Sequence, residues 1–175
     1  RANPPAKYRL VNSTLVIMGV SGSGKSTIGK LLGERLSLPF FDGDDFHSEK
    51  NVQKMSLGQP LTDDDREDWL ASLAELILAE KPIVLACSAL KKEYREHLSQ
   101  SDISLRFIFL DIPYEVARKR LASREGHFMP VSLLDSQFET LQSPQSAINI
   151  QAEKSASAIV DELENFLSLL APENK

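Results

Sequence analysis

The segment Gly19-Val20-Ser21-Gly22-Ser23-Gly24-Lys25-Ser26 constrains this chain more than any other, because it matches in full the pattern G-x-x-x-x-G-K-[ST]. With ordinary glycine usage, such a match arises by chance in roughly one sequence of this length in two hundred. The context fits as well: the apolar run LVIM enters the segment, and from Thr27 a helical pattern continues over 27–36. Glycine reaches backbone conformations that other residues avoid, which lets the loop fold tightly enough for successive N–H groups to converge on a phosphate. The start of the following helix adds the positive end of its dipole. Lys25 then supplies a point charge to the β- and γ-phosphates, and the Ser26 hydroxyl is the expected Mg²⁺ ligand. The plain alternative is a glycine-rich strand-to-helix turn with a surface lysine.

The pattern around the loop predicts an α/β fold. Short apolar runs at 14–18, 38–42, 83–87, 105–111 and 147–150 alternate with helical stretches, and most are continuous rather than alternating, as parallel strands covered on both faces require. Trp69, Leu70, Leu73, Leu76 and Ile77 form one helical stripe; Ile159, Val160, Leu163, Phe166, Leu167 and Leu170 form another. At 175 residues the chain reads as one domain over 13–175, with 1–12 as a flexible or extraneous tail. No apolar run approaches the ~18 residues of a spanning helix, which excludes a transmembrane protein. The single cysteine, Cys87, cannot form an internal disulfide and suits a reducing, cytoplasmic setting. A net charge of -5 argues against a bulk electrostatic grip on nucleic acid or anionic membrane. That charge is concentrated: 42–68 holds nine acidic and three basic residues.

The second candidate strand ends in FFDGDDFH, residues 40–47. Carboxylates at the carboxyl ends of parallel strands point into the crevice where ligands bind. Asp42 and Asp44 would share a face if the strand continued. One could hold water of a Mg²⁺ shell, and the other could orient and deprotonate an acceptor hydroxyl. A solvated Asp/Gly turn is the alternative. Further on, Thr62 is a good N-cap for a helix opening with Asp63, Asp64 and Asp65, and this acidic first turn has a structural explanation in the helix dipole. A nucleoside monophosphate acceptor would call for several arginines here, and only Arg66 is present. Carboxylates suit a polyhydroxylated acceptor instead.

The missing guanine and switch signatures argue against a GTPase, and the short chain against a motor ATPase, which leaves a small-molecule phosphotransferase. No aspartate ends the third strand, so Ser88 could act there through a metal-bound water, and Asp111 is a weaker metal candidate. Arg120 and Arg124 stand at i, i+4 before Gly126, in a segment that reads either as a lid over ATP, about 122–134, or as a solvated basic helix face. His47, His97 and His127 have no cysteine companions, and no zinc spacing is found.

Taken in order, GVSGSGKST, DGDDFH, KMSLGQPLTDDDR, ACSALKKEYR, REGHFMP and QFETLQSP resemble the gluconokinases, a family of P-loop small-molecule kinases. The resemblance implies a three-layer α/β/α sandwich of nucleoside-monophosphate-kinase type, with a five-stranded parallel sheet in the order 2-3-1-4-5, a lid, and a homodimer. It implies transfer of the ATP γ-phosphate to the 6-hydroxyl of D-gluconate. By similarity to shikimate kinases, Asp42 would belong to the metal shell and Asp44 would bind the acceptor. By similarity to adenylate kinases, Arg120 would stack near adenine and Arg124 would reach the phosphates. For the gluconate carboxylate, Lys91 and Arg95 lie in the right segment, with Arg66, Lys54 and His47 as further candidates. The rival expectations are another small-molecule kinase, of shikimate kinase type, and a non-catalytic nucleotide-gated binding module.

Overall fold

The computed structural model describes residues 12–123 and 130–169. Within them strands and helices alternate as β1 (Leu15–Met18), α1 (Lys25–Leu36), β2 (Phe40–Asp42), α2 (Glu49–Ser56), α3 (Asp63–Glu80), β3 (Val84–Ala86), α4 (Lys92–Ser99), β4 (Arg106–Asp111), α5 (Tyr114–Ala122), α6 (Val131–Thr140), β5 (Ile148–Gln151) and α7 (Ala156–Leu169). All five strands run parallel in one sheet, in the order β2-β3-β1-β4-β5. Both the α/β class and the strand order agree with expectation. Central β1 delivers the glycine-rich loop to the carboxyl edge of the sheet, between β3 and β4, where ligands of open α/β sheets bind.

Side chains alternate across a strand, and β1 uses the alternation to anchor two layers. Leu15 and Ile17 join a core with Ile28 and Leu32 of α1 and Ile159, Val160 and Leu163 of α7. Val16 and Met18 join a second core with Trp69, Leu73 and Ile77 of α3 and Tyr94 and Leu98 of α4. All four β1 side chains are fully buried; burying one of this size contributes about 1.5–3 kcal/mol. The strand that carries the loop is thus clamped from both faces. In the C-terminal helix Phe166 departs from its predicted stripe, being 42% exposed, because it sits at the edge of the arc that Ile159, Val160, Leu163 and Leu167 bury.

The acidic segment also departs from expectation. β2 stops at Asp42, and Gly43–Phe46 form a short 3-10 helix, so Asp42 and Asp44 do not share a strand face. The cause is local: Asp42 caps this turn by accepting a hydrogen bond from the Asp44 N–H at 3.0 Å. Thr62 does cap α3, in a reciprocal box with Asp65: its hydroxyl accepts from the Asp65 N–H at 3.1 Å, and Asp65 Oδ2 accepts from the Thr62 N–H at 2.9 Å. Three of the expected features fall partly outside the described residues: 1–11 of the tail, 124–129 of the lid, which include Arg124, and Leu170 of the C-terminal stripe.

Candidate active site

The loop between β1 and α1 is shaped by its glycines. Gly24 is the N-cap of α1 at φ +93°, and Gly22 sits at φ +84°, where a Cβ would come within 2.8 Å of the Ala117 carbonyl oxygen. At both positions an L side chain is strained. Lys25 Nζ folds back onto the Val20 carbonyl oxygen at 3.0 Å, which holds its ammonium over the loop. The Ser26 hydroxyl donates to Asp42 Oδ2 at 2.7 Å, bringing the end of β2 to the start of α1. This pair of hard oxygens suits Mg²⁺, which keeps water and phosphate oxygens as its other ligands rather than an all-protein cage. Among the described residues no group of three or more His, Cys, Asp or Glu side chains is placed to hold a metal ion. Arg120 lies behind the loop, donating to the carbonyl oxygens of Gly22 at 3.2 Å and Ala152 at 2.8 Å.

Beside the loop is a pocket where Lys25 and Ser21 meet Asp44, His47, Arg66 and Ser88. Asp44 is presented by the 3-10 helix, and that helix is held from below: Trp69 Nε1 of α3 donates to the Gly43 carbonyl oxygen at 2.7 Å. The Trp69 ring also stacks on His47, with centroids 4.4 Å apart and planes 11° from parallel. Burial holds the His47 imidazole below its ordinary pKa; Asp44 opposes this and the Arg66 charge reinforces it. His47 Nδ1 is buried without a partner among the described residues.

The predicted cations divide. Arg66 lines the pocket, with Nη1 donating to the Leu61 carbonyl oxygen at 2.8 Å and to the Tyr94 hydroxyl at 3.1 Å. His47 lines it too, whereas Lys54, Lys91 and Arg95 are directed elsewhere. Lys54 pairs with Asp65 Oδ2 at 2.6 Å. Lys91 pairs with Asp63 at 2.9 Å, and Asp63 also accepts from the Tyr94 hydroxyl. These partners, Tyr94 first and then Lys91, hold the Asp63 carboxyl below the usual range. Arg95 is buried, and its guanidinium donates to the carbonyl oxygens of Ala89, Leu90 and Gln142. It lines a cavity of about 780 Å³ at the amino ends of β4 and β5, away from the loop. We place the site at the smaller pocket because ligands bind at the carboxyl ends of such sheets. Asp111 is not among the residues lining that pocket, whereas Ser88 is.

Two contributors escaped the sequence reading. Trp69 looked like one more core residue in a stripe, since nothing in a spacing pattern reveals a ring stacked beneath a site histidine. Gln137 of α6 lines the pocket and accepts a hydrogen bond from the Ser21 N–H at 2.7 Å, across 116 residues of sequence.

This geometry is that of a P-loop kinase, and comparison with known proteins narrows it. A family model described as shikimate kinase matches residues 21–167. A gluconokinase from Gluconobacter oxydans is 46% identical over 156 residues, covering 85% of this chain and 88% of that protein. The chain belongs to the gluconokinase family. A probable gluconokinase from Xenopus tropicalis is 42% identical, with 86% of this chain and 90% of that protein covered. The crystal structure of a gluconokinase from Sinorhizobium meliloti superposes with a TM-score of 0.85 at 43% identity, over 91% of this chain and 94% of that one. Within the gluconokinase family, then, this chain keeps the full phosphate loop and presents Asp44 and Arg66 in one pocket beside it.

Proposed function

We propose that this chain is an ATP-dependent gluconokinase, converting D-gluconate and ATP to 6-phospho-D-gluconate and ADP. One observation carries the reading: Lys25 of the phosphate loop, the Asp44 carboxylate and the Arg66 guanidinium line a single pocket. A phosphoryl donor, a hydroxyl to be activated and a carboxylate to be bound require those three groups.

In this reading the loop amides and Lys25 hold the ATP phosphates, and Arg120 borders the nucleotide behind the loop. Arg124, outside the described residues, completes the phosphate side from the lid. Ser26 and Asp42 would hold Mg²⁺, which when bound neutralises charge across the β- and γ-phosphates. Asp44 accepts the proton of the 6-hydroxyl as its oxygen bonds to the γ-phosphorus and the bond to the β,γ-bridging oxygen breaks, releasing ADP. Burial holds the His47 imidazole below its ordinary pKa, which favours its neutral form beside Asp44. Arg66 pairs with the gluconate carboxylate. Lys54, Lys91 and Arg95 act indirectly, by fixing the helix starts and turns around the pocket.

The reading extends to a cytoplasmic homodimer, which light scattering at micromolar concentration would test. For the activity, ADP release is followed with D-gluconate, shikimate and related acids as acceptors. Gluconate-dependent turnover is expected; turnover with shikimate alone, or nucleotide binding that no acceptor converts to ADP, would reject it.

A further inference from the structure

Gln137 has no part in the reaction as set out above, yet its side chain accepts a hydrogen bond from the Ser21 N–H of the phosphate loop. The Ser21 N–H can only donate, so the group facing it at 2.7 Å must be the carboxamide oxygen, Oε1. The orientation of the amide is thereby decided, and Nε2, with its two protons, points away from Ser21. Among the described residues no group accepts a hydrogen bond from Nε2. Gln137 borders the same pocket as Lys25 and Asp44.

The Val20–Ser21 peptide relates this amide to Lys25. Its carbonyl oxygen takes the Lys25 ammonium at 3.0 Å, and its N–H binds Gln137. In a trans peptide the C=O and N–H point in opposite directions, so the Lys25 ammonium and the Gln137 carboxamide flank one peptide unit from its two sides. Charge on a transferring phosphoryl group is spread over three oxygens, and donors arriving from different directions stabilise it best.

We propose that Gln137 Nε2 donates a hydrogen bond to the γ-phosphoryl group from the side opposite Lys25. This makes helix α6 a contributor to the nucleotide site and gives the site a means of telling ATP from ADP. The inference rests on the phosphate loop holding ATP.

Equilibrium binding without acceptor tests it. Gln137→Glu keeps an oxygen for the Ser21 N–H but replaces the donor with a negative charge. Its affinity for the β,γ-imido analogue of ATP, with Mg²⁺, should fall about tenfold or more, the cost of losing a hydrogen bond to a charged group. Affinity for ADP, which lacks the γ-phosphate, should stay within about twofold. Thermal melting checks folding, and if this variant is unfolded Gln137→Met is measured instead, with an expected loss of about threefold or more for the analogue relative to ADP. A loss for ADP as large as for the analogue, or no loss for either, overturns the proposal. Failure of the unaltered protein to bind either nucleotide overturns the ATP reading on which it rests.

Discussion

The two sides of the site are built in opposite ways. The phosphate side is one contiguous stretch, 19–27, whose donors are mostly backbone amides oriented by glycines and by the start of α1. The proposed acceptor side is made of side chains that arrive separately: Asp44 from a 3-10 helix, Arg66 and Trp69 from α3 and Ser88 from beyond β3. A contiguous motif can be recognised wherever it occurs, because its geometry is local. An assembled surface exists only after the core has formed, and here it is held by the links from Trp69 to Gly43, Tyr94 and Lys91 to Asp63, and Lys54 to Asp65. In the proposed function, binding phosphate thus depends on few interactions, while choosing an acceptor depends on many.

Substitutions on each side should separate the two contributions. Asp44→Asn, on the acceptor side, should lower kcat by about 10² to 10⁴ if the carboxylate takes the hydroxyl proton. Unchanged turnover by folded protein would remove Asp44 from the chemistry. On the phosphate side, Lys25→Ala should cost about 10² to 10³ in kcat/KM with little change in melting temperature, because one electrostatic donor is lost and no core is disturbed. Steady-state kinetics against both substrates checks this, and ordinary ATP-dependent activity would break the assignment. Trp69→Phe keeps most of the ring but drops the Nε1 bond to Gly43. A buried hydrogen bond of that kind is worth about 1–3 kcal/mol once its partner is left unsatisfied. Denaturant melts should show the loss, accompanied by a raised KM for the acceptor and an unaltered ATP affinity.

A smaller effect concerns pH. The carboxyls of Asp63 and Asp65 titrate below their ordinary value of 3.8 in the folded chain. Between their folded values and 3.8 the unfolded chain binds more protons, so their contribution is complete above this window and is lost as pH falls through it. Unfolding curves should therefore show the acceptor side loosening in acid, and the Asp63→Asn variant should show a weaker pH dependence than the unaltered protein. Least of all should Cys87 respond: burial raises its thiol to about 12, and thiol reagents should leave the folded protein unmodified. Rapid labelling of native protein would contradict this.

The layered α/β architecture was legible because near-continuous apolar runs at strand length have few other solutions, and each observed strand lies within two residues of its expected position. The phosphate loop was legible because its residues are adjacent. Arg66, by contrast, was one of five candidates for one role, and only packing showed that it borders the pocket while Lys54, Lys91 and Arg95 are engaged elsewhere. Asp42 and Asp44 were found by proximity in sequence, but their supposed common strand face gave way to a capped turn.

By itself the sequence determined what short-range physics can specify: a glycine loop between a strand and a helix, a capped acidic helix, and enough apolar periodicity for two core layers. The tertiary structure decided which distant groups share a pocket, placing a glutamine 116 residues away against the Ser21 amide and a tryptophan under His47. The reason is that hydrogen bonds and charges act over a few ångströms, and only the closed fold brings residues from distant parts of the chain that close together.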